Sequence, residues 1–270
     1  MLLLASPAVR VIFGLLVLPV GWLMGQSFYD DGFTLEHYRR IFSEDIYWRS
    51  FALTFRIALL VTLLTLLLGY PVAYAAAALP GGWSILILAL VVLPFWTSVL
   101  VRAYAWLVLL QRTGVINQTL AKFALVEEPL ALVHNELGTV IATVHILLPF
   151  MVLPLYSTMQ KIPRDLMLAA ASLGGSPLHT FLRVFLPLSL PGVLAGLTLV
   201  FVLCLGFYIT PELLGGGKTI MISMVVSRNV ELYNQWGAAS AVGVVLLACV
   251  FAIFFVVGRV ISLDRMLGPK

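Results

Sequence analysis

A chain of 270 residues with 61% hydrophobic and only 10% charged residues cannot cover its own surface with water-compatible groups, since a soluble domain uses about a quarter charged residues. Lipid must therefore cover it, in spans of about 20 apolar residues. The net charge of +4 is too small to suggest a nucleic-acid partner, and Cys204 and Cys249, both inside apolar runs, support neither a disulfide framework nor a metal site.

The hydropathy pattern predicts an all-α polytopic membrane protein with six spans in a single domain, residues 1–270. The first covers about 9–27 and contains Pro19. Its leading stretch carries only Arg10 and lacks a small-residue cleavage site, so it reads as a retained span rather than a removed signal. A polar run over 28–48 holds Asp30, Asp31, Glu36, Arg39, Arg40, Glu44 and Asp45. The second span covers about 49–78 and is long enough to tilt or protrude. Leu79-Pro80-Gly81-Gly82 is a tight turn into the third, about 83–109. A polar segment over 111–136 precedes the fourth, 137–159. The fifth covers 191–209, a loop 210–236, and the sixth 237–261. No internal repeat is visible. An even number of spans puts both termini on one side, but each side carries seven Lys and Arg, so the positive-inside rule does not orient the chain.

Between the fourth and fifth spans lies the one amphipathic insert, 160–190, with Lys161, Arg164, Asp165, His179 and Arg183. Pro163 suits a helix's first turn and Asp165 the positive end of its dipole. Leu166, Leu168, Ala169, Ala170 and Leu173 give an apolar, small-residue face. Gly174-Gly175 stops that helix, because glycine accepts the left-handed conformation at a helix end. Ser176-Pro177 restarts it, and Phe181, Val184 and Phe185 carry the apolar face to Pro187. The expected product is two short helices with a bend, suited to docking in a partner's groove.

The spacing here resembles the coupling loop of ABC importer permeases: Glu-Ala-Ala, three residues, Gly, nine residues, Ile, one residue, Leu-Pro. This chain has Leu168-Ala169-Ala170, then Gly174, Val184 and Leu186-Pro187 at the same intervals, with Leu168 in place of the glutamate. Leu93-Pro94-Phe95-Trp96-Thr97-Ser98, Val101-Arg102-Ala103-Tyr104-Ala105-Trp106, Gly114-Val115-Ile116-Asn117 and Gly206-Phe207-Tyr208-Ile209-Thr210-Pro211 are similar to the spermidine/putrescine-type permeases. The resemblance implies a type I importer permease fold with a cytoplasmic coupling-helix loop, both termini cytoplasmic, in a bacterial inner membrane. It implies a second permease subunit (taken as a different chain, a heterodimer), two cytoplasmic ATPase subunits and a periplasmic solute-binding protein. ATP would be used by the partner ATPase, with no cofactor on this chain and no chemistry of its own. Asp165, Leu168, Ala169, Ala170, Gly174, Gly175 and Pro187 would form the ATPase-coupling element. Polyamines are the implied solute. The same importer type for another small organic solute, such as an amino-acid derivative, is the alternative. An ion-coupled secondary carrier would show inverted repeats and a broken helix pair at mid-membrane, which the sequence does not suggest.

Candidates for the solute path are Trp96, Tyr104, Trp106, His145, Tyr208 and Glu212. The aromatics could hold amines by cation–π contact or form an interfacial belt. His145 could line the path or be a satisfied buried histidine, and no second metal ligand lies at helical spacing from it. Glu212 could attract cations or cap a turn. Arg56 and Arg102 fall inside spans, where a charge is paired, snorkels outward or serves transport. Gly215-Gly216-Gly217-Lys218-Thr219 resembles the end of a phosphate loop, but Glu212 stands where the first glycine is needed. Asn117-Gln118-Thr119 matches a glycosylation sequon and is discounted in a bacterial-type chain. Gly192 and Gly196 have the spacing that lets membrane helices approach closely, within the chain or against a second permease.

Overall fold

The computed structural model describes residues 11–30 and 32–260. These fall into two compact units, one of residues 52–221 and the other of 11–51 with 222–260.

The smaller unit begins with a π-helical turn, Phe13–Val17, that runs into α1, Leu18–Gln26. Leu18 N–H bonds the carbonyl of Phe13, five residues back, immediately before Pro19. The widened turn loosens the carbonyls that a proline ring would strike, so Pro19 does not interrupt the helix. The Ser27 hydroxyl meets the Tyr38 hydroxyl at 2.7 Å. A two-rung antiparallel ladder of Tyr29–Asp30 with Gly32–Phe33 follows. The polar run then forms α2, Glu36–Ser43, which buries His37 and Ile41 and exposes its charges. After the larger unit come α12, Ile222–Glu231, and α13, Trp236–Val260, which packs on α1, α2 and α12.

The larger unit holds most of α3, Asp45–Ala78, then α4, Gly81–Val92, α5, Val99–Leu110, α6, Val115–Lys122, and α7, Glu136–Met159. The insert supplies α8, Arg164–Ser172, and α9, Pro177–Thr180. A π-helical turn, Phe181–Phe185, joins α9 to α10, Leu186–Leu205, and α11, Ile209–Leu214, completes the unit. Its core helix is α7, started by Asn135, whose side-chain oxygen accepts from Gly138 N–H at 2.9 Å. The pair Gly192 and Gly196 on α10 faces α7 of the same chain. A Cβ at Gly192 would lie 2.7 Å from Thr158 Oγ1, and one at Gly196 2.6 Å from Met151 Sδ. The small-residue stripe therefore serves packing within the chain rather than a second permease.

Four features differ from the sequence expectation. The third span, 83–109, is two helices: α4 ends in a 3₁₀ turn, Leu93–Trp96, Thr97 is extended, and Ser98 caps α5 by accepting from Leu100 N–H. Pro94 supplies the break, since it has no N–H for the helical ladder and its ring crowds the preceding turn. The fifth span does not begin at 191 after a stop at Pro187. Helix runs without a stop from Pro177 to Leu205. As before Pro19, a π turn precedes the proline, with Leu186 N–H bonded to the Phe181 carbonyl. That span ends at Leu205, capped by Gly206, rather than at 209. The region 210–236, expected as a loop, carries α11 and α12.

Among the described residues five helical runs are long and apolar enough to cross a membrane: Asp45–Ala78, Val99–Lys122, Glu136–Met159, Pro177–Leu205 and Trp236–Phe255. Two shorter apolar runs, Phe13–Gln26 and Gly81–Trp96, fall where the first and third spans were expected. Residues 9–10 of the expected first span, residue 261 of the sixth, and the charged tail lie outside the described residues.

Candidate functional site

The insert is built in two unlike halves. In α8 no residue is buried, and Leu168 and Leu173 are 65% and 90% exposed. Its end is a Schellman motif: Gly174 N–H bonds the Ala171 carbonyl and Gly175 N–H the Ala170 carbonyl, both at 3.0 Å. Gly174 sits at φ +84, which a side chain rarely adopts. Nothing lies within 4 Å of where its Cβ would be, so backbone conformation rather than crowding demands the glycine. Ser176 caps α9, accepting from His179 N–H at 3.3 Å. Asp165 and Ala169 are exposed, Ala170 and Gly175 half-buried, and Pro187 is exposed on the first turn of α10. A cavity of about 480 Å³ lies between α8 and the ends of α3, α4 and α7, lined by Tyr74, Tyr156, Gln160, Arg164, Met167 and Phe185 among others.

The second half is bolted to α3. Tyr74 meets Phe181 at 5.7 Å and Phe185 at 5.0 Å, and Tyr70 meets Phe181 at 6.1 Å, all edge to face. Tyr70 and Ser189 hydroxyls are 2.9 Å apart. Beyond the Gly174-Gly175 joint, α8 is thus followed by one continuous helix packed against α3.

At the other end of the unit, α5, α7 and α11 share a small core of Ala103, Leu110, Ala142 and Leu214, with Trp106, Ile209 and Leu213 packed against it. Of the six path candidates the structure brings together Trp106 and His145. Trp106 Nε1–H donates to His145 Nδ1 at 3.1 Å, with ring centres 5.5 Å apart. Tyr104 is exposed on α5, and Trp96, 89% exposed, sits at the Leu93–Ser98 break. Half-buried Tyr208 is the N-cap residue of α11, its carbonyl accepting from the N–H of exposed Glu212 at 3.1 Å.

The two span arginines separate. Arg56 Nε donates to Glu136 Oε1 at 3.1 Å and a second nitrogen bonds Oε2, a bidentate ion pair between α3 and the start of α7. Arg102 lies 5.8 Å over the Phe95 ring, and its Nε and Nη1 are buried without a hydrogen-bond acceptor among the described residues. Phe95 in turn meets Phe150 of α7 at 5.0 Å.

The glycine-rich run follows helix α11 rather than a strand and forms a turn with Gly216 and Gly217 at positive φ, Lys218 N–H bonding the Gly215 carbonyl. That context is not a phosphate loop's. Asn117 is 2% exposed; its Nδ2 donates to the Gln111 and Leu130 carbonyls and its Oδ1 accepts from Leu130 N–H, so it pins a loop and is closed to modification.

The sequence profile of the family described as binding-protein-dependent transport system inner membrane component matches residues 18–264. The chain belongs to that family. It is therefore a multi-pass permease subunit of the inner membrane. This permease is 34% identical over 261 residues to the spermidine/putrescine transport system permease protein PotB of Haemophilus influenzae, covering 95% of this chain and 89% of the relative. It is 34% identical over 244 residues to PotB of Escherichia coli K12, covering 90% and 87%. In fold it is similar to a bacterial alginate ABC transporter chain solved with an alginate pentasaccharide-bound periplasmic protein, at TM-score 0.72, 17% identity and 96% and 93% coverage.

Several residues that shape the permease carry no local signal. Glu136 lies 80 positions from Arg56, and Tyr70 and Tyr74 more than a hundred from Phe181 and Phe185. Glu136 could have been suspected only as an acid on a helix's first turn, and the tyrosines only as aromatics one helical turn apart.

Proposed function

We propose that this permease forms half of the path by which an ATP-driven importer moves polyamines of the spermidine/putrescine kind, delivered by a periplasmic binding protein. The observation that carries the solute class is identity of 34% to polyamine permeases over nine-tenths or more of the chain. A different second permease chain, two cytoplasmic ATPases and cytoplasmic termini complete the assembly.

The coupling part has physical support. An α8 that with its C-cap residue Leu173 exposes Leu166 and Leu168 needs a cover, and the small residues Ala169 and Ala170 let a groove approach its backbone. Closure of the ATPase pair would push α8, and the rod from Pro177 to Leu205 would carry that motion into α3 and α7. Hydrolysis would reset it. The ATP belongs to the partner ATPase, and no bond in the solute changes.

The test is uptake of labelled putrescine and spermidine by the full importer reconstituted with its binding protein. ATP-dependent accumulation of either, competed by the other, is the expected result. Binding of neither polyamine by the partner binding protein, with uptake of an amino-acid derivative instead, would retain the importer and replace the solute.

A further inference from the structure

We propose that Arg102, with His145 beside it, receives a carboxylate from the second permease chain at mid-membrane; the inference rests on the two-chain assembly above. The depth follows from two ring pairs. Phe95 packs on Phe150 and Trp106 on His145, so Arg102 lies at a level of α7 between His145 and Phe150. That is roughly ten residues, or about 15 Å, along α7 from Glu136. In a hydrocarbon layer about 30 Å thick this is near the middle, too deep for an easy snorkel to the outer surface. The break at Leu93–Ser98 puts Arg102 in the first turns of a separate helix, α5, rather than within one straight span over 83–109.

A charge there needs a counter-charge. Arg56 shows how this chain supplies one, through the bidentate Glu136. Glu136 is thereby taken. Arg102 has the π face of Phe95 and, for Nε and Nη1, no acceptor among the described residues. Its neighbours add donors instead. Trp106, one helical turn on, gives its only N–H to His145 Nδ1. A neutral His145 then carries its proton on Nε2, as a further donor. A cluster of donors alone is complementary to a carboxylate. On the flank of α5 beside Arg102, Ala105 three residues on is exposed and Leu109 seven residues on half-buried, which leaves room for an adjoining helix to bring one. A polycationic solute would be repelled by Arg102, and lipid phosphates lie at the bilayer surface, so the second permease is the fitting source.

The experiment uses the importer purified whole from cells expressing all subunits, its composition first read by mass spectrometry. A wild-type complex holding a single kind of permease chain would overturn the heterodimer reading, whatever Arg102 does. With two chains present, Arg102→Glu is expected to lower the co-purified second permease by about tenfold or more, Arg102→Lys to retain most of it, and one Asp→Lys or Glu→Lys change in a span of the second permease to restore it with Arg102→Glu. Such a charge swap cannot be mimicked by misfolding, and Arg102→Gln, made without the charge reversal, should unfold within a few degrees of wild type. Full retention of the partner by Arg102→Glu, or no restoring acid in a complete scan of its spans, would overturn the proposal. So would an Arg102→Gln importer that keeps its partner but changes which solutes compete for uptake, since that assigns the site to a solute's carboxylate.

Discussion

The two halves of the insert 160–190 obey opposite rules. In α8 every residue is at least partly exposed, a cavity lies between it and the span ends, and its joint to the following helix is two glycines. From Pro177 onward the backbone is one helix with the following span, held to α3 by three edge-to-face ring contacts and a hydroxyl pair. The first half spends its apolar residues outward, the second inward. A loop evolved only to connect spans would need neither. The difference fits a lever: one arm shaped for a soluble partner, one arm rigidly continuous with the membrane helices.

The largest effect should come from loosening the rigid arm. Phe185 is 8% exposed and faces both Tyr74 and Phe181. Phe185→Ala leaves a cavity and should cost about 3 kcal/mol or more, read as a lower unfolding temperature of the detergent-solubilised permease and as lost uptake together. An unchanged unfolding temperature would mean that the ring cluster is dispensable and that α3 and α10 are held by other contacts.

Cutting the joint should spare the fold but separate the arms. Gly174→Val forces a β-branched residue to φ +84, a strain of roughly 1–3 kcal/mol. With nothing within 4 Å to collide, the strain is relieved by bending the joint, not by disturbing the spans. The expected readout is ATP hydrolysis that persists while uptake falls. Gly174→Asn, which tolerates the left-handed region better, should retain more uptake. Normal uptake by Gly174→Val would break the lever account.

How much of this was legible differs along the same stretch. Local chemistry was readable: the spacing from Leu168 to Pro187, the cap at Ser176, and the left-handed glycine at 174 each depend on residues within a few positions. The span ends near Gln26, Ala78, Met159 and Trp236 followed from hydropathy. Proline was misleading in both directions. Pro187 looked like a stop but is absorbed by a π turn, whereas Pro94, in a run just as apolar, breaks its helix. Proline removes one N–H in either case, and whether the turn widens or ends depends on what packs around it. The pairings at the end of the larger unit away from the insert, Arg56 with Glu136 and Trp106 with His145, join positions 80 and 39 residues apart. Helical periodicity places each on a face but cannot choose its partner.

The smallest effect on the fold, and the finest test of the exposed arm, lies at Leu168. It occupies the position where the resembling loops carry glutamate, and it is 65% exposed. Leu168→Glu should change the permease's own stability by no more than about 0.5 kcal/mol, because the site faces away from its core. If this arm binds by apolar contact, the substitution removes roughly 2 kcal/mol of burial from the interface. That predicts a loss of ATPase association of more than tenfold, measured by titrating the ATPase onto permease complex in nanodiscs. Tighter association would instead reveal a basic residue in the ATPase groove facing position 168, and would return the contact to an ion pair.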